Sequence, residues 1–166
     1  MTITESFRSA TTSVVLLTSI AINASAYATQ APSFELPSDS GTISLEQYRN
    51  QVVYIDFWAS WCVPCRHSFP WMNEMHARYG EDGLKVIGIN TDKDRSKAQK
   101  FLELVPADFE IAYDSDGTVA NKYRLKVMPS SFLIDQDGNL VYKHKGFKTS
   151  DGGHMENLIK KLLNNQ

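Results

Sequence analysis

Beyond Cys62 and Cys65 the 166-residue chain has no cysteine. A structural zinc site needs four ligands, usually a second Cys or His pair at similar spacing. No second Cys pair exists, and no two of His67, His76, His144 and His154 sit at such a spacing. A multi-bridge disulfide framework is excluded for the same reason. Neither sign of charge dominates: 17 Lys and Arg against 19 Asp and Glu leave a net charge of −2, which gives no reason for a nucleic-acid partner. The one basic cluster, Lys143-His144-Lys145 with Lys148, reads as a solvated strand edge and turn. Internal repeats and low-complexity linkers are also missing. The length suits one domain with a real core.

A long hydrophobic run is lacking too. Residues 11–22, centred on Val14-Val15-Leu16-Leu17, fall short of the ~20 residues of a comfortable membrane span. With Arg8 ahead of that run and Ala26-Tyr27-Ala28 behind it, residues 1–28 read as a secretory signal peptide cleaved after Ala28. Cleavage after Ala26 and a retained N-terminal anchor are the alternatives. No cysteine follows the cleavage site, so lipid attachment there is excluded. The mature domain would be 29–166, periplasmic, with both thiols in an oxidising space where partners must manage their redox state.

What is present centres on Trp61-Cys62-Val63-Pro64-Cys65. An apolar run over 52–58 predicts a buried strand before it, and Phe69, Met72, Met75 and Tyr79 recur at helical spacing after it. A C-x-x-C at a strand-to-helix junction is a redox pair. Pro70 is expected to interrupt and kink that helix. Ahead of the strand, 31–37 and 41–44 predict a hairpin, and 45–50 a short helix. Downstream, the pattern predicts a strand over 84–89 and a helix carrying Ala98, Phe101, Leu102 and Val105. A strand over 109–113, a short helix over 119–124 and a hairpin of 131–134 with 140–144 follow. A terminal amphipathic helix carries Met155, Leu158, Ile159, Leu162 and Leu163. Strands alternating with helices, then a hairpin and a last helix, predict an α/β fold: a mixed central sheet with helices on both faces.

The segment from Asp56 to Cys65 resembles the active-site segment of thioredoxin, and Pro70 matches that family's helix-kinking proline. Val127-Met128-Pro129-Ser130-Ser131 resembles its cis-proline loop. The leader, the hairpin and the long stretch between Asn90 and Pro129 are similar to the periplasmic TlpA/ResA/CcmG type of thiol-disulfide oxidoreductase. That resemblance implies a thioredoxin-like fold with an N-terminal hairpin and a central insertion. Two positions depart from it: those relatives usually carry Glu where this chain has Ser68, and commonly Asn where it has Asp56. The reduction potential and any part in cytochrome maturation stay open.

Free N–H groups at a helix N-terminus favour a thiolate, which makes Cys62 the nucleophile and Cys65, one turn further in, the buried resolving thiol. Pro64 suits an early helical position. Asp56 lies six residues before Cys62 in an apolar strand, where burial would raise its pKa and fit it to take the proton of Cys65. The alternative places Asp56 at a strand edge facing water. By the resemblance, Pro129 is cis, and the backbone of Met128 pairs with an extended substrate segment. Trp61 flanks Cys62 as part of that surface, or is simply a partly buried aromatic; Trp58 reads as core. The expected function is reduction of disulfides in exported protein clients by a monomer. A membrane-embedded thiol donor would resupply it, without cofactor or metal. The alternatives are a disulfide-forming oxidant, or a copper- or haem-maturation protein using the thiols as soft ligands. A peroxidase ranks below these, since the hydroperoxide-reducing relatives lack a paired C-x-P-C.

Overall fold

In the computed structural model, which describes residues 29–164, prolines 32 and 37 hold the entering segment extended. The expected signal segment lies outside the described residues. Glu35–Pro37 (β1) pairs antiparallel with Thr42–Ser44 (β2). Gly41, at φ 132°, makes their turn, its carbonyl accepting from Ser38 N–H at 2.7 Å. A single 3-10 turn, Leu45–Tyr48, follows. It is shorter than the helix expected over 45–50, because Arg49, at ψ 143°, and then Asn50, at φ 67°, leave the right-handed helical region.

Val52–Trp58 (β3), Leu84–Asn90 (β4), Glu110–Tyr113 (β5), Ser130–Ile134 (β6) and Leu140–Lys145 (β7) form one sheet, ordered β5-β4-β3-β6-β7. β3, β4 and β5 run parallel, whereas β6 and β7 are antiparallel. Parallel neighbours need crossovers, supplied by α1 (Cys65–Tyr79) between β3 and β4 and by α2 (Arg95–Leu104) between β4 and β5. With α3 (Thr118–Lys122), α2 and β5 form the insertion expected between Asn90 and Pro129. The chain continues to α4 (Gly152–Leu163). Lys143 and Lys145 are exposed along edge strand β7, where charge discourages pairing with a second sheet.

The sheet has two buried faces. On one, Tyr54 and Trp58 meet Phe69, Met72 and Met75 of α1, Phe101 of α2, and Met155 and Ile159 of α4. On the other, Val53, Ile55 and Phe57 meet Ile87, Ile89, Phe132 and Ile134, with the hairpin and α3 as cover. Gly88 is required by close packing. A Cβ there would meet Ile111 and Phe109 at 3.0 Å and the Trp58 indole nitrogen at 3.1 Å. The expected interruption at Pro70 does not occur, and α1 runs through it. The amide lost there would have bonded the Arg66 carbonyl; both residues are exposed, so water can take its place.

Candidate active site

β3 delivers the chain to the redox pair through Ala59-Ser60-Trp61. This loop is tied down from β4: Ser60 N–H and Oγ–H donate to the buried carboxylate of Asp92 at 2.7 and 3.0 Å. Asn90 holds Asp92 in turn, its Nδ2 donating at 2.9 Å. Nothing in the local pattern announced this anchor, because Ser60 and Asp92 are 32 residues apart in sequence. Cys62 and Cys65 form a disulfide with Cα atoms 5.4 Å apart. Pro64 caps α1 with φ −62° and ψ −25°, as its ring prefers. The first helical N–H, of Cys65, points at Cys62 Sγ at 3.3 Å.

The two sulfurs sit differently from their neighbours. Cys65 is fully buried and Cys62 is 3 % exposed, while Trp61 and Val63 are 69 % and 63 % exposed. Trp61 is thus the surface aromatic of its two expected readings. It shares a shallow depression with Leu125, Lys126, Val127 and Met128. The Met128–Pro129 bond is cis, Pro129 is buried, and Met128 Sδ accepts from Thr91 Oγ1 at 3.7 Å. Trp58 is core. Among the described residues, no histidine and no cation bonds Cys62, and no group of three or more His, Cys, Asp or Glu could hold a metal ion.

Asp56 is fully buried on a central strand, which removes the alternative of a water-facing edge. Nor is it the unpartnered acid that its apolar context suggested. Ser131 Oγ donates to Oδ1 at 2.8 Å and Ser68 Oγ lies 3.4 Å from Oδ2. Desolvation prevails over both hydroxyls and pushes the carboxyl from 3.8 up to about 7. Ser68 also lies 3.1 Å from the Cys65 carbonyl, joining the acid to the first turn of α1. A cysteine pair recessed just below the surface and backed by a buried acid, its carboxyl pushed up to about 7, can exchange electrons with a disulfide once reduced and manage the accompanying proton.

The AhpC/TSA family model matches residues 27–143. The thiol-disulfide oxidoreductase ResA of Bacillus thuringiensis is 31 % identical over 134 residues, covering 80 % of this chain and 76 % of the relative. A Chlorobium tepidum structure described as thiol:disulfide interchange protein DsbE superposes with a TM-score of 0.80 at 45 % identity, covering 82 % of this chain and 96 % of the other. A protein disulfide isomerase-like structure from Bacteroides thetaiotaomicron, 22 % identical, has a TM-score of 0.76 over 82 % and 89 % of the two chains and supports the fold alone.

Proposed function

The chain belongs to the AhpC/TSA family and is a thiol-disulfide oxidoreductase of the ResA type, and we propose that it acts as an exported reductant of protein disulfides. The observation that carries this reading is the buried Asp56, with its carboxyl near 7, linked through Ser68 to Cys65. In the reduced protein, the Cys62 thiolate attacks one sulfur of a client disulfide. The client's S–S bond breaks, its second sulfur leaves as a thiolate, and a mixed disulfide forms. Cys65 then gives its proton to Asp56 and attacks Cys62 Sγ. The mixed disulfide breaks, the client departs with both sulfurs reduced, and the two electrons it gained leave Cys62 and Cys65 joined.

What surrounds Cys62 supports the reducing direction. A strong oxidant stabilises its thiolate heavily. Here the sulfur receives one helix N–H and no cationic partner among the described residues. Exposed Trp61, Val63 and Val127 around a recessed sulfur suit an extended polypeptide rather than a small thiol. The 1–28 leader, cleaved after Ala28, would place the domain in the periplasm. A membrane-embedded thiol donor would re-reduce the pair there, with the protein working as a monomer without cofactor. Among the described residues, no helix is long and apolar enough to cross a membrane.

Equilibration in glutathione buffers tests the direction. A potential near the ~−270 mV of reducing thioredoxins supports the reading, whereas a value above roughly −160 mV, towards the ~−120 mV of a strong oxidant, reverses it. Insulin reduction that disappears in Cys62→Ser tests the activity. N-terminal sequencing of the periplasmic fraction, expected to begin at Thr29, tests the export.

A further inference from the structure

We propose that Ser68 and Ser131 are positioning residues for the proton step, holding the Asp56 carboxyl from the helix and from the sheet so that it exchanges a proton with Cys65. The inference rests on the reading of Asp56 as the acceptor of the Cys65 proton. Ser68, Ser131 and Asp56 are all buried, and among the described residues the two hydroxyls are the only groups bonded to that carboxyl.

A hydroxyl carries a single proton, and Ser68 has two acceptors within reach, Asp56 Oδ2 at 3.4 Å and the Cys65 carbonyl at 3.1 Å. With Asp56 ionised, the proton of Ser68 serves the carboxylate. With Asp56 neutral, the acid donates to Ser68 Oγ, and the proton of Ser68 turns to the Cys65 carbonyl. Both states keep every donor satisfied inside a buried site, where an orphaned polar group is costly. Ser131 holds the other carboxyl oxygen, donating to Oδ1 at 2.8 Å. The Ser68 hydroxyl therefore reorients as Asp56 is loaded, next to the residue whose thiol supplies the proton.

The surroundings leave this task to the two hydroxyls. From β3, Tyr54 shares the face of Asp56; its hydroxyl donates to Met155 Sδ of α4 at 3.7 Å and also meets Ser131, and burial, then the charge of Asp56, push its pKa up. From β4, the register partner is Gly88. From β6 the partner is Ser131, and beyond it on β7 stands His144, whose Nε2 is bonded to Asp151 at 3.1 Å. α1 contributes Cys65 and Ser68. No cation lowers the acid, and the two serines alone oppose the desolvation.

Stopped-flow reaction of the reduced protein with the aromatic disulfide DTNB separates the steps. The first thionitrobenzoate leaves as Cys62 attacks, the second as Cys65 resolves the mixed disulfide. In the wild type, the acid limb of the second release should have its midpoint near the Asp56 value of about 7. Ser131→Ala should move that midpoint up by roughly one to two pH units, since a hydrogen bond to a charged group contributes about 1.5–3 kcal/mol. Ser68→Ala, losing the longer bond, should move it less, and Ser68→Thr should return it. A purely structural role would lower the melting temperature and leave the midpoint in place. Midpoints unmoved in folded Ser131→Ala and Ser68→Ala, while Asp56→Asn abolishes the limb, overturn this inference alone. A limb that survives Asp56→Asn overturns the reading of Asp56 beneath it.

Discussion

Alternate residues of β3 are equally buried and put to different uses on the two faces of the sheet. Val53, Ile55 and Phe57 face a predominantly apolar layer, in which Phe57, Phe132 and Tyr123 pack with ring centroids 4.9 to 5.6 Å apart. Tyr54, Asp56 and Trp58 face the helices that carry the disulfide. There Trp58 packs edge-on against Phe69 and tilted against Phe101, its indole N–H has no partner among the described residues, and Asp56 is a fully buried carboxyl. The first face stabilises. The second gives up part of that stability by burying a carboxyl. Raising a carboxyl from 3.8 to about 7 corresponds to about 4 kcal/mol at ~1.4 kcal/mol per pH unit, a large share of a net stability of ~5–15 kcal/mol.

The largest effects should come from the redox face. Cys62→Ser should reduce exchange to background, because it removes the attacking sulfur. Cys65→Ser should keep the attack and trap mixed disulfides with clients, visible on non-reducing gels. If Cys62→Ser traps them and Cys65→Ser does not, the two roles are reversed.

Asp56→Asn should then separate stability from turnover. The folded pKa lies above the unfolded one, so between about 3.8 and about 7 the native state holds the extra proton. Stability falls as pH rises through that window and levels off above it. The uncharged amide escapes this loss. The oxidised variant should match wild type near pH 4 and exceed it at pH 8 by up to about 4 kcal/mol in denaturant melts, while resolving mixed disulfides more slowly. A variant that is less stable at pH 8 and equally active would contradict the account of this face.

Ile55→Ala is the matched change on the opposite face. Truncating a fully buried Ile should destabilise by roughly 2–5 kcal/mol, with no dependence on pH between 4 and 8. The folded fraction should keep the wild-type reduction potential and the wild-type rate of Cys65 resolution. A shifted potential would show that the two faces are coupled through β3.

The contrast between the faces was only half visible in the sequence. The apolar run 52–58, the helical spacing after Cys65 and the pattern of the last helix are local signals, and the elements they predict are present. Asp56 stood out as an acid among apolar residues, but its partners did not. Ser68 is 12 residues away and Ser131 is 75 residues away, and only the β3–β6 register brings the latter across. Serine in a loop-adjacent strand carries no mark that distinguishes a buried donor from a solvated one. The departure at Ser68, noted from resemblance, proved to be a contact of Asp56 rather than an isolated difference. The interruption expected at Pro70 is absent because proline at an exposed site of an established helix removes one hydrogen bond without ending it.

The smallest expected effect lies where the two faces are fastened together at the β5 edge. Asp39, in the hairpin that covers the apolar face, pairs with the guanidinium of Arg95 at the start of α2, the helix that covers the redox face. Tyr113 of β5 joins them, its hydroxyl donating to Asp39 Oδ2 at 2.9 Å and its ring lying 4.0 Å beneath the Arg95 guanidinium. Burial opposes ionisation of Asp39, but the bonds from Arg95 and Tyr113 hold it below 3.8. The ion pair is largely exposed and screened by solvent, so Arg95→Ala should cost only about 1 kcal/mol, part of it from the lost ring contact. The sign with pH is opposite to that at Asp56. With a depressed folded pKa, the ionic part is present above the unfolded value and is lost as pH falls through the folded one. The gap between wild type and Arg95→Ala in denaturant melts should therefore narrow from pH 7 towards pH 3 and shrink in high salt, while the Asp56→Asn gap grows from pH 4 to pH 8. A difference for Arg95→Ala that is constant across pH and salt would assign the whole contribution to packing on Tyr113 and none to Asp39.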